Sequence, residues 1–524
     1  MAKRRWLLMT CLLMGCGSSD SSVMPTEPDS RDAGDAETGD GEKEAQCDSS
    51  MMPDEDPCVI QDDLAVFVSP QGRDSSGCGT MSKPCASLER GMSEAEAADK
   101  RVYACGDDGP YKESLAININ LDGLVVLGGF RCADWSYEPK VVQTQILAQA
   151  GQRALMVEGV SALEMRDFVF ESEDATAAGS SSIAAKVKNA KGVIFKNTTF
   201  RSGQGADGRD GEDGQNAEAV PEVGMAQKGQ NSECDPPPTP DANGGGVWST
   251  AFACPAGGKT RGGMGGKAVR GYFDGLPGGS GQAGEEDTNV QSLGMGLGGD
   301  GGIVDSWNGK AGEDGSPGNH GDNGAAAPAA GELTVTGYTP ADGQDGTHGW
   351  PGQGGGGGGA SWSMTNCVAP TGGAGGLGGC GGFPGTKGGG GGASIALLLW
   401  QSSVTLHDCR LLSAEGGKGG KGGNGGASGF GQLGAQGGWA VHSSMHNAGN
   451  GGKGGDGGLG GSGSGGTGGP SYALVYQGKP PTEQGMVTLT ASAGGAKGLG
   501  GQAPGGPAAP DGTEGGSAKR YQVQ

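Results

Sequence analysis

Glycine recurs at every third position over several separate stretches, including GADGRDGEDG (205–214), GKAGEDGSPGNHGDNG (309–324), GTHGWPG (346–352) and GGKGGKGGNGG (416–426). Neither an α-helix at 3.6 residues per turn nor a strand at period two produces that repeat. Period three is the turn of the extended polyproline-II-type helix, which rises about 3.1 Å per residue and has no internal hydrogen bonds. With 117 glycines among 524 residues and only 5% aromatics, much of the chain cannot build an ordinary apolar core.

Four structures start from such letters. Collagen needs unbroken G-X-Y and abundant proline, whereas these runs are short and the whole chain has 27 prolines. A calcium-binding nonapeptide needs a large apolar residue at its eighth position, and the closest stretch, GGKGGDGGL (451–459), has Gly458 there. A flexible linker would be polar throughout, but Trp248, Trp307, Trp350, Trp362, Trp439, Phe252, Phe273 and Phe430 stand among the glycines. The remaining structure is a bundle of polyglycine-II helices. Without side chains, neighbouring strands approach until backbone N–H and C=O groups bond between them. The aromatic residues are then expected to seal the bundle against a β core.

That core is legible in four related stretches: RALMVEGVSALEMRDFVFES (153–172), SIAAKVKNAKGVIFKNTTFRS (182–202), SIALLLWQSSVTLHDCRLLSA (394–414) and SYALVYQGKPPTEQGMVTLTASA (471–493). Each reads as an apolar strand, a polar turn and a second alternating strand. A unit this short cannot bury its own apolar face, so several must stack. The glycine blocks begin just after the second strand each time, at FRSGQGADG, LLSAEGGKGG and TASAGGAKGLGG. The expected organisation is a β module with a capping helix over 63–202, a glycine-rich insertion over 203–393, a coil at 394–414, a second insertion at 415–470, a coil at 471–493 and a glycine-rich tail at 494–524.

Upstream, LAVFVSP reads as a strand and ASLERGMSEAEAA as a helix, with Leu88, Met92, Ala95 and Ala98 at helical spacing. The order FVSPQGRDSSGCGTMSKPCASL followed by GPYKESLAI resembles the opening module of right-handed parallel β-helix proteins of the pectin-lyase-like superfamily. The later GGFRCADWSY resembles secreted lipoproteins of myxobacterial type that carry this module. The resemblance covers roughly residues 64–200. It implies an all-β, right-handed parallel β-helix whose open end is capped by a helix and whose first coil opens at the G-x-Y-x-E turn. It carries no catalytic motif.

The N-terminus, MAKRRWLLMTCLLMGCGSSDSS, has basic Lys3, Arg4 and Arg5 before a short apolar run from Trp6 to Met14. That run is shorter than the ~20 residues that span a bilayer and reads as an export signal over 1–15. Leu13-Met14-Gly15-Cys16 resembles a bacterial lipobox, so Cys16 is the expected lipidation site and the membrane partner is reached through that anchor. Residues 16–62 are expected to be an acidic, disordered tether. The implied location is the outer membrane or cell surface. A net charge of −23 argues against nucleic acid, and cell-surface polysaccharide or protein remains as partner.

Thirteen cysteines, less Cys11 and Cys16, leave eleven for an oxidising compartment. Short spacings pair Cys47 with Cys58, Cys78 with Cys85, Cys105 with Cys132, Cys234 with Cys254, and Cys367 with Cys380, leaving Cys409 as a buried thiol. No CxxC occurs, so no zinc site is expected, and no other metal or cofactor is implied. For catalysis, the candidate groups are Glu164 and Asp167 on one coil and His407, Asp408 and Arg410 on another. Strand alternation would put Asp408 and Arg410 on one side and His407 on the other. His442 and His446 would form half a metal site only on a helix. No ladder of carboxylates is visible, so no catalytic residue is assigned. The expected function is a structural, adhesive or binding role at the cell surface, with a polysaccharide lyase or hydrolase as the alternative.

Overall fold

The structure is a computed structural model, which describes residues 47–234, 244–248, 250–268, 307–362, 367–443 and 445–524. Cys16 and Phe273 lie outside these residues. The fold is mostly parallel β, with a single α-helix among the described residues. The chain runs through β1 (Ala65–Val68), α1 (Leu88–Ala98), β2 (Arg101–Cys105), β3 (Leu115–Ile117), β4 (Leu124–Phe130) and β5 (Thr144–Ala148). Three short strands then recur per repeat. They are β6 (Leu155–Glu158), β7 (Leu163–Arg166) and β8 (Phe168–Ser172), then β9 (Ser182–Lys188), β10 (Val193–Lys196) and β11 (Thr199–Ser202). Two small hairpins follow, β12 (Phe252–Ala253) with β13 (Lys259–Thr260), and β14 (Glu332–Thr334) with β15 (Gly337–Thr339). The repeat resumes with β16 (Ser394–Trp400), β17 (Val404–His407), β18 (Arg410–Ser413), β19 (Ser471–Gln477), β20 (Thr482–Gln484) and β21 (Thr488–Ala491), and β22 (Ser517–Val523) follows.

From β3 onward, hairpins aside, successive strands fall in three sheets in rotation. One has the order β3-β6-β9-β16-β19-β22, one ends β4-β7-β10-β17-β20, and one has the order β5-β8-β11-β18-β21. Register is kept from repeat to repeat, with Leu163, Val193 and Val404 in one row and Phe170, Phe200 and Leu411 in another. These rows point inward and make the main apolar core. The sequence pattern shows two strands per repeat; three form because Asp167, Asn197 and Asp408 break the second strand with φ of 66°, 49° and 54°. Asp and Asn tolerate that left-handed geometry better than other side-chain-bearing residues.

At the N-terminal end α1 packs Leu88, Met92 and Ala95 into the core, while Ala98 is exposed. Glu113 of the G-x-Y-x-E turn holds the start of the helix by accepting the Leu88 N–H at 2.9 Å, and the Tyr111 hydroxyl, sharing its one hydrogen, ties the ends of β1 and β2 through the Val68 and Cys105 carbonyls at 2.8 and 2.9 Å. Residues 49–62, expected to lie in the tether, are instead packed. Val59 is buried, and Met52 and Ile60 rest on the cluster of Phe67, Tyr103 and Trp135.

The two long glycine stretches leave and rejoin the sheets at one corner. The chain departs after Ser202 and returns at Ser394, whose hydroxyls are 2.9 Å apart; it departs after Ser413 and returns at Ser471, 3.0 Å apart. Between those points the glycine segments bond to each other at every third residue. Gly451, Gly454, Gly457, Gly460, Gly463, Gly466 and Gly469 donate in antiparallel order to the carbonyls of Ala435, Gln432, Gly429, Gly426, Gly423, Gly420 and Gly417 at 2.8–2.9 Å. The next position along the same segment serves a second neighbour, with Gly452, Gly455 and Gly458 donating to Gly356, Gln353 and Trp350. The third position carries the side chain, and its carbonyl accepts from a third neighbour, as Lys453 and Asp456 accept from Gly315 and Gly318.

The number of glycines per triplet therefore follows the number of close neighbours. In G-G-x segments both glycines are needed; a Cβ on Gly454 would lie 2.0 Å from the Leu377 oxygen, and one on Gly452 2.0 Å from the Glu313 oxygen. In the single-glycine segment 205–214 the glycines face the strand at 383–392, where a Cβ on Gly208 would lie 2.0 Å from the Gly389 oxygen, and the third position of each triplet is exposed. The exposed Asp207, Asp210 and Asp213 then use their carboxylates to accept the N–H groups of Lys418, Lys421 and Asn424, each at 2.7 Å. A short acceptor thus replaces the main-chain strand that is missing at the margin.

Cys78–Cys85 and Cys105–Cys132 are bonded as spacing indicated, and Cys47 and Cys58 are both in disulfides. The other two pairings are corrected. Cys234 joins Cys367 and Cys254 joins Cys380, across 133 and 126 residues. Neighbours in the bundle are remote in sequence. Glu233 and Val368 exchange backbone hydrogen bonds at 3.2 and 2.9 Å, and Thr260 accepts the Gly378 N–H at 2.8 Å, which brings each cysteine to its distant partner. Cys409 is the free, buried thiol expected.

Candidate functional site

The corner that breaks the second strand also builds a groove. Asp167, Asn197 and Asp408 occupy equivalent positions in successive repeats, and beside them lies a recess of about 240 Å³ whose polar lining includes Lys140, Thr199 and Arg410. Asp167 is buried; it accepts from the Tyr137 hydroxyl at 2.5 Å and from the Asn197 amide at 2.7 Å. Burial pushes its carboxyl above the usual range, against those two hydrogen bonds, which favour the charged form. Burial, followed by the adjacent carboxylate, pushes the Tyr137 phenol upward as well. Asp408 accepts the Met486 N–H at 2.8 Å. Among the described residues Lys140 and Arg410 make no ion pair.

Asp408 and Arg410 line this groove and His407 does not, standing on the sheet in register with Lys196. Its Nδ1 still sits 2.8 Å from Asp408 Oδ2, off the hydrogen-bonding direction. The left-handed turn at Asp408 ends the strand, so that turn, rather than unbroken period-two alternation, sets the two sides. Glu164 and Asp167 are separated in function. Glu164 pairs with Arg166 on the outer face of its sheet, while Asp167 is enclosed at the corner.

Sequence reasoning missed a row of basic residue types on that outer face. Register places Arg166, Lys196 and His407 side by side on β7, β10 and β17, where adjacent strands lie about 4.8 Å apart. Lys196 has no ion-pair partner among the described residues. Arg166, Lys196 and Glu164 thus converge on one sheet, with Lys140, Asp408 and Arg410 around the corner. The signal was present as a basic residue ending each middle strand (EMR, IFK, TLH), but three-residue patterns were invisible while each repeat was read as two strands.

His442 lies in a bend and His446 in irregular chain rather than on a helix, and His446 packs edge-on against Trp307 with ring centroids 5.1 Å apart. Among the described residues, the two groups that place three potential ligands close together, Asp74 with Cys78 and Cys85, and Asp107 and Asp108 with Cys132, contain disulfide sulfurs and offer no thiolate. The tryptophans behave unequally. Trp362 is buried and Trp248 donates its ring N–H to the Gly375 carbonyl at 2.8 Å, whereas Trp439 and Phe430 are exposed and seal nothing. No helix among the described residues is long and apolar enough to cross a membrane. No protein-family model matches the chain, and no curated protein matches it.

Proposed function

We propose that this chain is an exported, lipid-anchored cell-surface scaffold: a right-handed parallel β-helix of the pectin-lyase-like kind carrying polyglycine-II insertions. The observation that carries the reading is the three-residue hydrogen-bond register between glycine segments, such as Gly451 to Gly469 against Gly417 to Ala435. Such a lattice gives a long loop rigidity without an apolar core, which suits a structural or adhesive role. The disulfides across 133 and 126 residues fit an oxidising compartment. Anchoring rests on the lipobox-like Leu13-Met14-Gly15-Cys16. Metabolic labelling with palmitate tests it. The native chain should take up label and fractionate with membranes, and Cys16→Ala should do neither; label retained by Cys16→Ala sinks the anchor.

A second reading, polysaccharide cleavage, is favoured by the convergence of Glu164, Arg166 and Lys196 on one sheet. Against it, Glu164 is tied to Arg166, and Asp167 is enclosed by Tyr137 and Asn197. Release of unsaturated or reducing ends from a panel of acidic and neutral glycans, abolished by Lys196→Ala, would establish it over the scaffold alone.

A further inference from the structure

Large apolar side chains are exposed at few places, and four of them lie on one glycine strand. Phe430 is 84% exposed, Leu433 72%, Trp439 61% and Val441 58%. Phe430, Leu433, Gln436 and Trp439 stand at three-residue steps, so on a strand rising ~3.1 Å per residue they form a straight row with about 9 Å between neighbours. The backbone beneath is fixed from three directions. Gly429, Gln432, Ala435 and Gly438 donate to Cys380, Leu377, Ala374 and Thr371 at 2.8–2.9 Å, Gly451, Gly454 and Gly457 donate to this strand from one flank, and Gly229 and Ser232 donate to Gln436 and Trp439 from the other. The row cannot turn inward, because a Cβ at Gly431 or Gly434 would already meet the Gly454 or Gly451 oxygen at 1.9 or 2.1 Å.

The charge pattern selects the partner. In a chain of net charge −23, the 31 residues from Gly422 to Gly452 contain no Asp, Glu, Lys or Arg. The flanking strands carry both signs, with Asp456 accepting the Gly431 N–H and pairing with Lys453 on one side and exposed Glu218, Glu222 and Lys228 on the other, so the uncharged row between them best suits a neutral partner. A rigid row with an aromatic ring at each end, and Leu433 and the exposed amide of Gln436 between them, suits a polymer that repeats flat C–H faces and hydroxyls along a straight axis. We infer that this row is a binding ridge for a neutral, ribbon-like polysaccharide. Stacking on Phe430 and Trp439 supplies most of the affinity, and the preformed backbone lowers the ordering cost. The inference rests on the scaffold reading only in requiring ordered glycine strands.

The test is co-sedimentation of the full chain with microcrystalline cellulose and with β-chitin. The native chain should pellet with at least one of them. Phe430→Ala together with Trp439→Ala should lower the bound fraction by about tenfold or more, with the unfolding midpoint unchanged because both side chains are exposed. Trp439→Phe should keep most of the binding. The inference is overturned if neither glycan pellets the chain, if the double variant pellets equally well, or if sedimentation velocity shows a dimer that the same variant dissolves, which would make a second copy the occupant. Amide exchange at Gly451–Gly469 separates the two levels: protected amides without pelleting refute the ridge alone, and rapid exchange refutes the scaffold beneath it.

Discussion

Alanine at Gly454 is the most informative single substitution. Its Cβ would lie 2.0 Å from the Leu377 oxygen and 2.3 Å from the Leu377 carbon, so one strand must move outward by more than an ångström. Overpacking of that kind costs about 1–3 kcal/mol. The shift also disrupts the 2.8 Å bonds from Gly454 to Gln432 and from Gln432 to Leu377, each worth about 1 kcal/mol net. Reduced unfolded-state entropy returns only about 0.4–1 kcal/mol. The net local loss is about 2–4.5 kcal/mol, which corresponds to roughly 1.5–3 decades in amide protection over the adjoining segments. Gly506→Ala is the matched control, since its Cβ meets nothing closer than 3.4 Å. Native-state hydrogen exchange read by mass spectrometry gives both numbers. If Gly454→Ala and Gly506→Ala leave the peptides spanning 371–380 and 426–457 equally protected, the close-approach reasoning is wrong.

Other consequences follow from the same geometry. Asp456 and Asp511 are held below the usual carboxylate range, first by the N–H groups of Gly431 and Gly500 and then by Lys453 and Lys497. Their stabilisation is full above the unfolded value near pH 4 and is lost as pH falls through the lower folded values. Asp456→Asn with Asp511→Asn keeps the acceptors, so acid loss of near-ultraviolet tryptophan dichroism should become shallower than in the native chain. Removing the Cys234–Cys367 link by paired serines should cost up to about 5 kcal/mol by chain entropy for a loop of 133 residues. Peptide mapping without reduction should recover 234 with 367 and 254 with 380. Burial raises the Cys409 thiol to about 11, so iodoacetamide should label it only after denaturation; rapid labelling of the folded chain would contradict its place in the core.

The strands were legible because an inward row such as Val193, Phe195 and Phe200 writes its periodicity into the sequence. The third strand of each repeat was not, since left-handed Asp167, Asn197 and Asp408 look like ordinary polar residues within a run. The glycine period disclosed that segments bond to neighbours, and the contrast between GGKGGKGG and GADGRDG even records how many. Which segments are neighbours is a long-range property, so the pairing of Cys234 and Cys254 by short spacing failed. The groove at Lys140 and Arg410 was hidden for the same reason, because stacking joins residues 270 positions apart. Phe430 and Trp439 were read as sealing residues since composition does not say which of the three faces of a glycine helix looks outward.

Backbone amide exchange across residues 415–470 of the folded chain tests the central claim most directly. The account predicts protection at Gly451, Gly454, Gly457, Gly460, Gly463 and Gly466 comparable with that in β16 and β19, because each of these N–H groups is bonded to a neighbouring strand at 2.8–2.9 Å. Complete exchange within seconds at those glycines, with β16 and β19 still protected, would show that the glycine segments are coils.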